Sequence, residues 1–487
     1  MIQMKFTYRR SDWRNYQCRL QKNRSRNQAV RRTVRYSFFL VFLTFVGAAV
    51  YGVSGKVTDS PVFSFLSAVM PSAHTAEVQE FSAAGIRNVP DAGFSGKTSG
   101  LSKSDIRTIL SSDDFLNLKE NHFQTESERR GFQVDTTIDV PLQNFILKNM
   151  DRQNSRYIGI VAMDPGTGRI LAMAGHDSAN SRKNPCTDAL FPAASIFKIV
   201  IAAAAVEECG FRSDSTISFR GAKHTLYKSQ LNPENKGNFI SLQDSFAQSV
   251  NPVFGKLGIH FLGKDIIESY AKAFGFNRPV SFEIPVEVST VSLVTDDPFQ
   301  LAEIASGFNR STAISPLHGA MMVSAIVSTE GRLMEPAIVD RISSKNGRIL
   351  YRSHPKTVNR VLSPATAETV KRMMEETVRT GTCRKVFAGY EKDPLLSRLS
   401  IGGKTGTISS RNHEGRSYDW FVGFAEEKDG PQKFVISVVV THEKVISTKA
   451  KQYARMSMAE YFRNYYSKQE ALLHKADAAP PKPGKSI

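Results

Sequence analysis

Phe191-Pro192-Ala193-Ala194-Ser195-Ile196-Phe197-Lys198, continued by the apolar run Ile199 to Val206, reads as a short loop feeding a buried helix with Ser195 at its first turn. A serine and a lysine three apart on a helix share one face, about 5–6 Å apart at Cβ. The helix N-terminus adds partial positive charge where an oxyanion would form. That arrangement suits a serine nucleophile deprotonated by a lysine. On its own the pair is a weak signal, and its weight depends on what the rest of the chain supplies.

At 487 residues the chain is long enough for two or three domains and a substantial core. The net charge of +18 raises a nucleic-acid reading, but residues 1–36 hold eleven Lys/Arg against the single acid Asp12. That basic segment runs into an uncharged stretch, Tyr36 to Val53, just long enough to cross a bilayer and aromatic at both ends. The expectation is a cytoplasmic basic segment (1–35), a transmembrane helix (36–54) and an extracytoplasmic remainder, with no nucleic-acid partner. A cleaved signal peptide is the competing reading, disfavoured by the long basic region and the lack of a small-x-small site. Cys18 then lies on the cytoplasmic side, leaving Cys186, Cys209 and Cys383 in an oxidising compartment. Cys186 and Cys209 flank the Ser195 helix and are the expected disulfide; the alternative is three buried small hydrophobes. No Cys/His spacing suggests zinc, and neither metal nor cofactor is expected.

Residues 55–131 are rich in Ser, Gly and Ala, and read as a linker with one short helix near Ser104–Leu118. Order is expected from Phe132 to about residue 465. Val134–Ile138 is strand-like and Val140–Asp151 has helical spacing. Tyr157–Met163 and Arg169–Ala174 form a hairpin about Asp164-Pro165-Gly166-Thr167-Gly168. Helical patterns then run to about Ser324. Strand signals return at Arg398–Ile401, Tyr418–Ala425 and Lys433–Val440, before a closing helix at Lys449–Leu473; residues 466–487 are expected to be the helix end and a disordered tail. Strands from both ends with helices between imply one α/β sheet assembled from distant segments, plus an inserted helical lobe.

Two further motifs join Ser195 and Lys198. Ser249-Val250-Asn251 follows an amphipathic helix (Leu242, Phe246) and precedes Pro252, which is expected to end or bend the chain there. Lys404-Thr405-Gly406-Thr407 follows Ile401-Gly402-Gly403 on a β-type run. A phosphate-binding loop is excluded, because the required glycine six residues before the lysine is Arg398. Singly these are polar turns and caps; together, in this order, they form a serine acyl-enzyme signature.

On these residues the chain resembles the penicillin-binding transpeptidase family, over about Phe132 to Phe462. Thr136–Asp139 with Leu142-Gln143, Gly307–Arg310 with Ser315–His318, and Asp419–Phe424 carry the resemblance beyond the trio. It implies an α/β (α+β) fold, an antiparallel sheet flanked by helices plus a helical lobe, as in these enzymes and β-lactamases. It implies a D,D-transpeptidase cross-linking peptidoglycan stem peptides through a Ser195 acyl-enzyme, with β-lactams as covalent inhibitors. Lys198 would accept the proton, Ser249 relay it and Asn251 hold a substrate carbonyl or orient Lys198. Lys404, Thr405 and Thr407 would hold the terminal carboxylate beside Gly406, and the backbone N–H groups of Ser195 and Thr407 would form the oxyanion hole. The chain would act with a separate glycosyltransferase, since no room for that domain precedes the motifs. Ala194 departs from the glycine this family often places before its serine. A D,D-carboxypeptidase with the same site, a β-lactamase using Glu283 or Glu287, and a non-catalytic β-lactam sensor or scaffold are the alternatives.

Overall fold

The computed structural model describes residues 100–477, except 128–129, 234–236, 294–296, 329, 410–415, 444 and 447. The basic segment, the expected transmembrane helix and most of the linker lie outside these residues. Among the described residues no helix is long and apolar enough to cross a membrane.

Among the described residues the α-helices are α1 (Lys103–Ile109), α2 (Val140–Asn149), α3 (Lys198–Cys209), α4 (Leu242–Ala247), α5 (Asn251–Lys256), α6 (Gly263–Ala273), α7 (Pro298–Ser306), α8 (Pro316–Val327), α9 (Pro364–Arg379) and α10 (Ala450–Asp477). The principal strands are β1 (His122–Ser127), β2 (Arg130–Thr136), β3 (Ser155–Met163), β4 (Ile170–Asp177), β5 (Val339–Ser344), β6 (Ile349–Arg352), β7 (Leu399–Ser409), β8 (Ser417–Glu427) and β9 (Lys433–His442).

The main sheet is antiparallel, in the order β7-β8-β9-β3-β4, so strands from the two ends of the domain meet at β9 and β3. Its strands are apolar on both faces because both faces are covered. Along β9, Phe434, Ile436, Val438 and Val440 pack with α2 and α10, while Val435 and Val439 point the other way into the core of the helical lobe. Every residue of α8 is buried, as expected of a helix that is apolar all round and lies behind the sheet. The hairpin, α2 and the closing helix stand where the sequence patterning puts them.

Several expectations are corrected. Residues from Leu101 onward are not linker. Ser102 caps α1 through a capping box. Strands β1 and β2 then form a four-stranded antiparallel sheet with β5 and β6. The helix expected near Ser104–Leu118 shortens to α1 and a 3₁₀ turn at Asp113–Phe115. Pro252 does not end a helix but sits in the first turn of α5, where its missing N–H has no intrahelical partner to lose. Cys186, Cys209 and Cys383 are free thiols. Cys186 donates to the Ala174 and Ile160 carbonyls at 3.3 and 3.6 Å, and Cys209 to the Phe261 carbonyl at 3.7 Å. The two thiols face different surroundings, Cys186 the carbonyls of β3 and β4 and Cys209, the last residue of α3, the segment at Phe261. Burial pushes the Cys186 thiol up to about 12, which keeps it protonated and inert.

Candidate active site

Ser195 lies in a 3₁₀ turn, Ala194–Phe197, that runs directly into α3. The turn is anchored from the sheet by Trp420 Nε1, which donates to the Pro192 carbonyl at 2.9 Å. Ala194 takes φ +47°, a left-handed value that costs a Cβ-bearing residue about 1–2 kcal/mol. A glycine would sit there without that strain. Gly307 (φ +67°) closes α7 against the same turn, where a Cβ would come within 2.0 Å of the Ala194 carbonyl oxygen.

Lys198 is fully buried. Its Nζ lies 2.7 Å from Ser195 Oγ and 2.8 Å from Asn251 Oδ1, and also reaches the carbonyl oxygen of Ser306 at the end of α7. Asn251 Nδ2 donates to the His224 carbonyl at 3.0 Å, which turns Oδ1 toward the lysine. Two oxygen acceptors use the two N–H groups of a neutral amine and leave its lone pair for the Ser195 hydroxyl proton. Burial, followed by the nearby charge of Lys404, holds Lys198 well below the usual lysine range. The Phe254 ring lies 5.5 Å from its Nζ.

Lys404 is also fully buried, on the edge strand β7. Its Nζ donates to Ser249 Oγ at 3.0 Å and to the Thr405 carbonyl at 3.1 Å, above the Phe246 ring. Burial brings it down to about 7. Ser249 (φ +57°) turns between α4 and α5, so that its hydroxyl meets Lys404 while Asn251 meets Lys198. A Cβ on Gly406 would stand 3.2 Å from the Ser195 backbone nitrogen, so β7 runs edge-on beside the nucleophile. The trio expected from sequence therefore converges on one place. Ser195 and Thr405 are partly accessible and Thr407 is exposed at its rim.

Sequence reasoning did not identify Ser306, which acts through its carbonyl, or Thr382, whose hydroxyl is 2.6 Å from that of Thr405. The only sequence signal for the first is Gly307, the left-handed cap that ends α7. The two glutamates weighed as deacylation bases are engaged elsewhere. Glu283 is buried against Lys103 (3.4 Å), the Ile338 N–H and the Tyr351 hydroxyl, and Glu287 accepts from the Ala189 N–H. Among the described residues no cluster of three His, Cys, Asp or Glu side chains is placed to hold a metal.

The site thus pairs a serine with a buried lysine between a helical lobe and the edge of an antiparallel sheet, an arrangement chemically suited to acyl transfer. The chain belongs to the penicillin binding protein transpeptidase domain family, which residues 158–465 match. It is 26% identical over 381 residues to the peptidoglycan D,D-transpeptidase PbpA of Mycolicibacterium smegmatis, covering 70% of this chain and 74% of that protein. It is 25% identical over 340 residues to stage V sporulation protein D of Bacillus subtilis, covering 64% of this chain and 50% of that protein. The fold matches the D,D-transpeptidase domain of a peptidoglycan glycosyltransferase from Eggerthella lenta (TM-score 0.56, 23% identity, 76% of this chain and 92% of that one). It also matches the penicillin G acyl-enzyme complex of penicillin-binding protein A from M. tuberculosis (TM-score 0.52, 23% identity, 67% and 79%).

Proposed function

We propose that the chain is a D,D-transpeptidase that cross-links peptidoglycan stem peptides through an acyl-enzyme on Ser195. The observation that carries this reading is the buried Lys198 amine, held between Asn251 Oδ1 and the Ser306 carbonyl with its third position on Ser195 Oγ. Ser195 attacks the carbonyl of a terminal D-Ala-D-Ala bond as its proton passes to Lys198. The developing oxyanion is met by the backbone N–H groups of Ser195 and Thr407. Ser249, hydrogen-bonded to Lys404, relays that proton from Lys198 to the leaving D-alanine amine, so Lys198 is again neutral and Ser249 again a hydroxyl when the acyl-enzyme has formed. Lys404 and Thr405 face the carboxylate, with Gly406 leaving room for the substrate backbone. An amine of a neighbouring stem peptide then breaks the ester and regenerates Ser195.

β-Lactams react at the same serine. The remote engagement of Glu283 and Glu287 supports a long-lived penicilloyl-enzyme rather than a lactamase. The basic segment and the apolar stretch 36–54 support a single-pass anchor in the cytoplasmic membrane. The catalytic domain is then extracytoplasmic and works beside a separate glycosyltransferase.

Labelling of the full chain with a fluorescent penicillin, lost in Ser195→Ala, tests the acyl-enzyme. A synthetic stem peptide with an acceptor amine, read by mass spectrometry, tests its fate. Cross-linked dimer supports transpeptidation; release of D-alanine alone would make the chain a carboxypeptidase.

A further inference from the structure

The two threonines of Lys404-Thr405-Gly406-Thr407 are alternate residues on one edge strand, and the sequence expectation gives both hydroxyls the same job. Their surroundings differ. Behind Thr405 stands another neutral hydroxyl, Thr382 Oγ1, at 2.6 Å. Behind Thr407, directly across the β7–β8 ladder, stands the carboxylate of Asp419, with Oδ1 3.5 Å from Thr407 Oγ1.

Each backing group is fixed by independent contacts. Thr382 follows α9 in the segment Gly381-Thr382-Cys383. Its N–H donates to the Ala247 carbonyl at the end of α4 (3.1 Å), and its carbonyl accepts from Lys451 Nζ of α10 (2.8 Å). Gly381 is pressed so closely onto Ala247 that a Cβ would lie 2.3 Å from that carbonyl oxygen. Asp419 is buried, with Oδ2 accepting the first N–H of α10, from Ala450, at 2.9 Å. A carboxylate suits the positive end of a helix of 28 residues. His442 Nε2 lies 3.8 Å from the same oxygen.

A hydroxyl has one proton to give. An ionised carboxylate only accepts, so Asp419 draws the Thr407 proton toward the sheet and away from the substrate. Thr382 exerts no such pull. When an anion arrives in front of Thr405, the two hydroxyls align in series, Thr382 donating to Thr405 and Thr405 to the anion, and each bond polarises the next.

We propose that recognition of the substrate's terminal carboxylate runs through the Thr382–Thr405 pair and Lys404, with the Thr407 hydroxyl withheld from it by Asp419. Thr382 and Asp419 are positioning residues, acting through Thr405 and Thr407 respectively. The inference rests on the acylation chemistry proposed for Ser195, and it changes the role of the Thr407 side chain while leaving its backbone N–H in the oxyanion hole.

The test compares second-order acylation rates of the full chain by a penicillin and by its methyl ester, which lacks the anionic carboxylate. Thr382→Val is nearly isosteric and is expected to lower the acid-to-ester rate ratio about tenfold, the scale of a hydrogen bond to a charged group. Thr382→Ser is expected to restore the ratio. Thr405→Val is expected to lower it several-fold more than Thr407→Val does. Equal losses on acid and ester in Thr382→Val, no rescue by serine, or a Thr407→Val effect as large as that of Thr405→Val would each overturn the proposal. Failure of the wild-type chain to acylate at all would overturn the acylation reading itself, and is told apart by that.

Discussion

Two fully buried lysines meet beside Ser195, and their surroundings differ. Lys198 has three oxygen partners, contributed by the turn before α3, by α5 and by the end of α7. Lys404 has a serine hydroxyl and its neighbour's carbonyl. Burial lowers both, but Lys198 falls well below the usual range with Lys404's charge adding to the effect, whereas Lys404 settles at about 7. Two lysines in one apolar site compete for a proton, and the larger lowering of Lys198 favours Lys404 as its holder. The comparison teaches a division of labour. In the proposed mechanism Lys198 is the neutral amine that takes a proton from Ser195, and Lys404 the cation that meets an anion.

That division is open to attack at several points. Lys198→Arg puts a permanent cation in place of the neutral amine and cannot be deprotonated, so acylation by penicillin is expected to fall by at least about 10³-fold; retention of activity would show that Lys198 serves as a charge and not as a base. Lys404→Met removes both the anion's partner and the charge beside Lys198. Acylation is expected to fall about 10²-fold. Lys198, relieved of that charge, then keeps its proton to higher pH, so the acid limb of the rate profile moves up. A limb that stays in place would mean the lysines do not sense each other.

Gly307→Ala drives a Cβ into the Ala194 carbonyl and displaces the Ser306 carbonyl from Lys198. A loss of about 2–3 kcal/mol in chemical denaturation is expected, with slower acylation. Ala194→Gly is its counterpart, relieving a left-handed alanine. The strain relieved and the backbone entropy added to the unfolded chain nearly cancel, and stability is expected to change by under about 1 kcal/mol. The smallest effect on chemistry is expected from Glu283→Gln, which leaves the lifetime of the penicilloyl-enzyme unchanged because that carboxylate faces Lys103 and Tyr351. A lengthened lifetime would restore it as a deacylation base.

The main sheet was legible because its strands are long apolar runs bounded by Pro/Gly turns, as in the Tyr157–Met163 and Arg169–Ala174 hairpin. The small sheet was not. β1 reads His-Phe-Gln-Thr-Glu-Ser, half-exposed along its length, and β2, its neighbour, takes its other partner, β5, from some two hundred residues away, so nothing local marks that pairing. Helix α9 is absent from the sequence expectation for a different reason. Its amphipathic face (Val370, Met373, Met374) and its Ser363 cap are present in the sequence, but it lies in the long stretch between Ser324 and Arg398 that carries no motif. That Ser195, Lys198, Ser249, Asn251 and Lys404 would come together was legible because few residue types serve that chemistry and they recur at these spacings. What the sequence could not show were contacts made by backbone or by residues common everywhere: the Ser306 carbonyl, the His224 carbonyl behind Asn251, and Thr382. The cysteine pairing failed because spacing along the chain says nothing about direction in the fold; Cys186 turns into the sheet and Cys209 toward Phe261.

The pH dependence of Ser195 acylation in the wild-type chain tests the two-lysine account most directly. A neutral Lys198 with a protonated Lys404 predicts a rate that is already substantial in mildly acid solution and declines above about pH 7, as Lys404 loses its proton. A rate that climbs tenfold per pH unit through about pH 9, as it would for a base with an ordinary lysine pKa, would contradict it.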